Sequence, residues 1–125
     1  MTSRVLLAED EPHIIELLCF LLGRAGFAVD IEETGPGVLS RMAEGPPDVL
    51  ILDVMLPGMN GFEVMRRLRS DPVGAEVPVV MLTAKGQRED REAAEKLNVD
   101  VFITKPFSNV ELIETVQRLA HGRAA

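Results

Sequence analysis

Acidic, hydroxyl and basic side chains stand where apolar runs of this sequence stop. Ala8 is followed by Glu9, Asp10 and Glu11, Leu52 by Asp53, Leu82 by Thr83, and Ile103 by Thr104, Lys105 and Pro106. If the runs are parallel strands, these groups meet at one edge of a sheet. Glu9, Asp10 and Asp53 would then crowd up to three negative charges together, which calls for a cation among them. Mg2+ suits that demand, since it takes one or two carboxylates, keeps waters and accepts phosphate oxygens. Lys105 adds a second positive charge, and Thr83 offers a hydroxyl to an incoming anion. No serine or cysteine stands beside a base, so the remaining nucleophile is a carboxylate, Asp53. Its attack on phosphorus would give an acyl phosphate, with metal and lysine neutralising the transferred group. Alone, Asp53 reads as an ordinary strand-end carboxylate. Glu9, Asp10, Thr83 and Lys105 at three other strand ends make the chemical reading the stronger one.

The elements that would bring these ends together are visible in the apolar pattern. Short runs at Val5–Ala8, Phe27–Ile31, Val49–Leu52, Val77–Leu82 and Val101–Ile103 read as strands buried on both faces. Helical spacing lies between them. Ile14, Leu17, Leu18, Leu21, Leu22 and Ala25 form one stripe, and Leu112, Ile113, Val116 and Leu119 another. Asn60 caps a third helix with Glu63 three residues on, and Ser108 with Glu111 makes a capping box for the last. The pattern predicts an α/β fold, a (βα)5 doubly wound three-layer sandwich. Residues 1–125 form one domain, with 121–125 expected to fray. The fourth helix, from Gln87 to Lys96, has little beyond Ala93, Ala94 and Leu97 to bury. It reads either as a plain surface helix or as a surface that shifts in signalling.

Composition narrows the function. A net charge of −7 argues against direct nucleic-acid binding by this domain. The basic stretch Arg66-Arg67-Leu68-Arg69 reads as the solvated face of a helix. The one cysteine, Cys19, reads as core filler, and His13 and His121 as surface residues. There is no signal peptide and no apolar run long enough for a membrane span, so the protein is expected to be cytoplasmic.

Four segments carry a resemblance to a known family. Leu6–Glu11, Leu52–Gly61, Met81–Ala84 and Phe102–Phe107 resemble, in order and spacing, those of response-regulator receiver domains. The resemblance implies a flavodoxin-like sheet in the order 2-1-3-4-5. It implies that Asp53 accepts a phosphoryl group from a sensor histidine kinase or phosphotransfer protein. Glu9, Asp10, Asp53 and the backbone carbonyl of Met55 would hold Mg2+, with Mn2+ as an alternative. Lys105 would pair with the phosphorylated carboxylate, Thr83 would swing toward the phosphoryl oxygen, and Phe102 would turn inward as the switch aromatic. Lys105–Pro106 is expected to be cis. A downstream protein would bind the 87–120 face, and phosphorylation could drive a homodimer.

Some positions depart from the family pattern. Glu9 stands for the frequent aspartate, and Phe102 lacks the hydroxyl of the commoner tyrosine. Asn98 replaces a usual glycine, which Asn tolerates because it enters the left-handed region more readily than most residues. Met55 and Lys85 flank the place of the hydrolytic water. Val101 and Thr115 occupy positions that commonly hold an acid and an arginine paired across a dimer, so that ion pair is expected to be lost. Free-standing action through a protein partner is the favoured output. Two other classes fit less well. A haloacid-dehalogenase-like enzyme would want a second Asp where Met55 stands, and a flavodoxin-like carrier would find its phosphate repelled by Glu9-Asp10-Glu11.

Overall fold

The computed structural model describes residues 2–84 and 88–122. Strands and helices alternate: β1 (Arg4–Ala8), α1 (Pro12–Arg24), β2 (Ala28–Glu32), α2 (Gly35–Glu44), β3 (Val49–Asp53), α3 (Gly61–Ser70), β4 (Val79–Thr83), α4 (Arg88–Lys96), β5 (Val101–Thr104) and α5 (Asn109–Gly122). The sheet is parallel throughout and ordered β2-β1-β3-β4-β5, as expected. The order turns back at β1, so the carboxyl ends of β1 and β3 lie side by side where a ligand can enter.

Strand alternation divides the core into two layers. Leu6, Leu50, Leu52, Val79 and Met81 face Val38, Met42, Val64, Met65, Leu68 and Ala94 from α2, α3 and α4. Val5, Leu7, Ile51, Val80 and Leu82 face Leu18, Leu22, Leu112 and Val116 from α1 and α5. Successive strand residues point to opposite faces, so a strand covered on both sides must be apolar at every position. That holds for β3 and β4, which are buried along their length. It does not hold for β2 and β5, which were also read as buried on both faces. Both lie at sheet margins, and their residues are exposed or half-buried.

Helix starts follow the predicted caps. Asn60 Oδ1 accepts the Glu63 amide at 3.0 Å, and Ser108 Oγ accepts the Glu111 amide at 3.2 Å. Asn98 adopts φ 58°, the left-handed turn expected of it, and Lys105–Pro106 is cis. Helix α5 extends to Gly122, and residues 123–125 of the tail lie outside the described residues. Cys19 is half-buried at the rim of the core rather than filling it.

Arg69 departs most from its predicted role. Arg66 and Arg67 are exposed and pair with Glu63, as a solvated face should. The Arg69 side chain is 13% exposed and donates to the carbonyls of Gly74, Ala75, Val77, Leu97 and Asn98. Its guanidinium thus joins the α3–β4 connection to the α4–β5 turn. The five donors of a rigid fork suit that task, which the sequence pattern had no means of showing.

Candidate functional site

Each candidate side chain is placed by the end of a strand. Glu9 follows β1, and its amide still donates to Glu32 O at 3.1 Å, which extends the strand pairing by a residue. Asp53 is the last residue of the fully buried β3. Lys105 follows β5, held by its amide on Thr83 O at 2.7 Å. Gly61 lets the start of α3 approach β3, because a Cβ there would lie 2.8 Å from Asp53 O and 2.9 Å from Val54 Cα. In the sequence Gly61 stands out only as the end of the Leu52–Gly61 segment, with no role given to it, although its place after the Asn60 cap was a usable signal.

Three strand ends meet around one ammonium. Lys105 Nζ lies 3.3 Å from Glu9 Oε1 and 3.3 Å from Asp53 Oδ2. Asp53 Oδ1 accepts the Met55 amide at 3.1 Å, while the Met55 side chain is 71% exposed. Glu9 is fully buried, and Asp53 and Thr83 are 4% and 3% exposed. Asp10 is exposed, with a carboxylate oxygen within 4.8 Å of those of Glu9 and Asp53.

The electrostatics are those of a site with too many carboxylates. Burial, and then the neighbouring Asp53 charge, pushes the Glu9 carboxyl up to about 7. Burial pulls the Lys105 ammonium down, but Glu9 and Asp53 outweigh it and leave its pKa raised. One ammonium therefore faces two buried carboxylates and a third at the mouth. An all-oxygen donor set of this kind fits a hard divalent cation.

The switch candidates lie on β4 and β5. Thr83 is paired in register with Thr104, and Met81 with Phe102. Phe102 is half-buried against the α3–α4 side of the core, with the Arg91 guanidinium 5.3 Å from its ring centre. Lys85 and Gln87 fall outside the described residues. Thr115, at the position that commonly holds a dimer arginine, is buried in α5. His13 and His121 are both exposed, as read from the sequence.

The sequence model of the response regulator receiver domain matches residues 5–117. The chain belongs to the response-regulator receiver domain family. The phosphate regulon transcriptional regulatory protein PhoB of Escherichia coli is 38% identical over 117 residues, 94% of this chain. The chain spans about half the length of the curated relatives it matches, 51% for that PhoB. A putative response regulator from Chloroflexus aurantiacus superposes with a TM-score of 0.91 at 30% identity, over 97% of this chain and 99% of the other. The receiver domain of sensor histidine kinase PA1611 from Pseudomonas aeruginosa, solved with magnesium in its active-site cleft, has a TM-score of 0.88 at 26% identity. Those figures cover 97% of this chain and 99% of that one. This receiver is a phosphorylation-activated switch rather than a turnover enzyme, in a family whose members interact with histidine kinases. Among the described residues, no helix is long and apolar enough to cross a membrane.

Proposed function

We propose that Asp53 is the phosphoacceptor of this receiver and takes the group from a phosphohistidine of a sensor kinase or phosphotransfer protein. An Asp53 carboxylate oxygen forms the bond to phosphorus as the donor's N–P bond breaks, and the imidazole leaves with that electron pair. A divalent cation held by Glu9, Asp10, Asp53 and the Met55 carbonyl would supply charge neutralisation and orientation. Magnesium is the expected ion, by likeness to the Pseudomonas neighbour. Lys105 stabilises charge on the transferred group, since its ammonium already reaches Asp53 Oδ2 at 3.3 Å. Thr83 answers by turning its hydroxyl onto the phosphoryl oxygen, and Phe102 follows inward on β5. The observation that carries this reading is Lys105 bridging Glu9 and Asp53 at 3.3 Å.

The same residues make the receiver catalyse its own phosphorylation and, more slowly, its dephosphorylation. No second acid–base stands at Met55, so hydrolysis is slow and the phosphorylated form is a timed state. Residues 1–125 act as one receiver unit in the cytoplasm. A downstream protein reads the 87–120 face, and a phosphorylation-driven homodimer on that face would lack the ion pair replaced by Val101 and Thr115.

Incubation with a small phosphodonor, with and without Mg2+, tests the assignment by intact mass. The expected result is an acid-labile adduct that needs Mg2+ and is absent from Asp53→Asn. An adduct that survives the substitution, or forms equally well with chelator, overturns it.

A further inference from the structure

One buried polar atom next to the switch has no use in the mechanism above. Thr104 Oγ1 is closed to solvent and has no hydrogen-bond partner among the described residues. Leaving a buried hydroxyl unpaired costs about 1–3 kcal/mol, so its presence asks for a compensating state. Thr104 ends β5 and is paired in register with Thr83, the last residue of β4. Two residues earlier, Phe102 packs against the core layer that contains Val79 and Met81. Strand alternation places Thr104 on that face, together with Thr83. Neighbouring strands lie about 4.7–4.9 Å apart, so two hydroxyl side chains on paired positions of one face stand next to each other.

We infer that Thr104 is a positioning residue for the switch: its hydroxyl donates to Thr83 Oγ1 when the Thr83 hydroxyl turns onto a phosphoryl-bearing Asp53. The inference rests on Asp53 being the phosphoacceptor. Thr83 then gives its proton to the phosphoryl oxygen and presents a lone pair toward β5. The Thr104 hydroxyl fills it. The two bonds run in one direction, Thr104 to Thr83 to the anion, and each polarises the other. A valine at 104 has almost the same shape and cannot donate. It should favour the resting state, where the hydroxyl is unpaired, and penalise the activated one.

The test compares Thr104→Val and Thr104→Ser with the parent chain, using beryllofluoride with Mg2+ as the phosphoryl mimic. Affinity is read by calorimetry, and the resting state by thermal melting without the mimic. Loss of one neutral hydrogen bond predicts that Thr104→Val binds beryllofluoride about threefold to tenfold more weakly. Its resting Tm should be equal to the parent's or higher, and Thr104→Ser should recover the parent affinity. A role in packing alone would lower the Tm and leave affinity unchanged. Equal affinity for the parent and Thr104→Val overturns this inference alone. No Mg2+-dependent binding to the parent overturns the Asp53 assignment and this inference with it.

Discussion

Glu9 is fully buried at the end of β1 and paired at 3.3 Å with Lys105, ninety-six residues further along the chain. Asp53 shares the same ammonium, also at 3.3 Å.

That arrangement sets a pH dependence for the metal-free protein. The folded Glu9 carboxyl is held at about 7, above its ordinary value of 4.5, so the folded state keeps a proton that the unfolded chain has released. Stability from this group is therefore full below about pH 4.5 and falls as pH rises through 7. Urea unfolding in chelator at several pH values should show that fall in the parent and a flatter profile in Glu9→Gln. At pH 8 the variant should be the more stable of the two by about 1–3 kcal/mol. Adding Mg2+ at pH 8 should restore stability to the parent more than to the variant.

Lys105 reaches Asp53 from β5, whereas Asp10 approaches from the mouth of the site. Lys105→Ala should leave Mg2+ binding in place, because it removes a positive charge and no oxygen ligand. The beryllofluoride-induced NMR shifts around Phe102 should be lost. The chain has no Trp or Tyr, so calorimetry is the suitable measure of metal affinity. Shifts at Phe102 as large as those of the parent would refute the role given to the lysine.

Gly61→Ala pits two effects against each other. Alanine favours a helix over glycine by about 1 kcal/mol. The added Cβ, however, would stand 2.8 Å from Asp53 O and 2.9 Å from Val54 Cα, and backbone atoms cannot step aside. Overpacking of this kind costs about 1–3 kcal/mol, so a net loss of stability is expected. Phosphorylation by a small donor should slow as well, since the clash falls on Asp53 itself. Unfolding and donor kinetics on one preparation would measure both.

Arg69→Met should cost about 2–4 kcal/mol in urea unfolding, because several half-buried carbonyls lose their donor together. Arg69→Lys keeps the charge but not the fork, and should recover only part of that loss. Substituting the exposed Arg66 or Arg67 in the same stretch should have little effect.

Much of the fold was legible because its signals are local. The strand runs, the Asn60 and Ser108 caps and the left-handed Asn98 each depend on a few neighbouring residues. Parallel strands then require their carboxyl ends to share an edge, which gathers Glu9, Asp53, Thr83 and Lys105. What stayed hidden depends on partners distant in sequence. Arg69 and Arg67 look alike in the chain, yet one meets carbonyls near residues 75 and 98 and the other meets Glu63. The half-burial of β2 and β5 follows from their place in the sheet, not from their apolar content. Thr104 stands out in the sequence only as a strand-end residue, because its oddity is a missing partner, and a sequence shows no partners at all.

The convergence of loops on Arg69 also governs where this chain could be cut or rejoined. At the amino ends of the strands, residues 71–78 and 97–100 are tied to a single guanidinium, so an insertion in either would disturb both. Gly45 lies in a third connection at that end, with open space around its Cα and no part in the tie. New termini for a circular permutation, or a grafted reporter, belong between Gly45 and Pro46, where they would leave the phosphoacceptor edge intact.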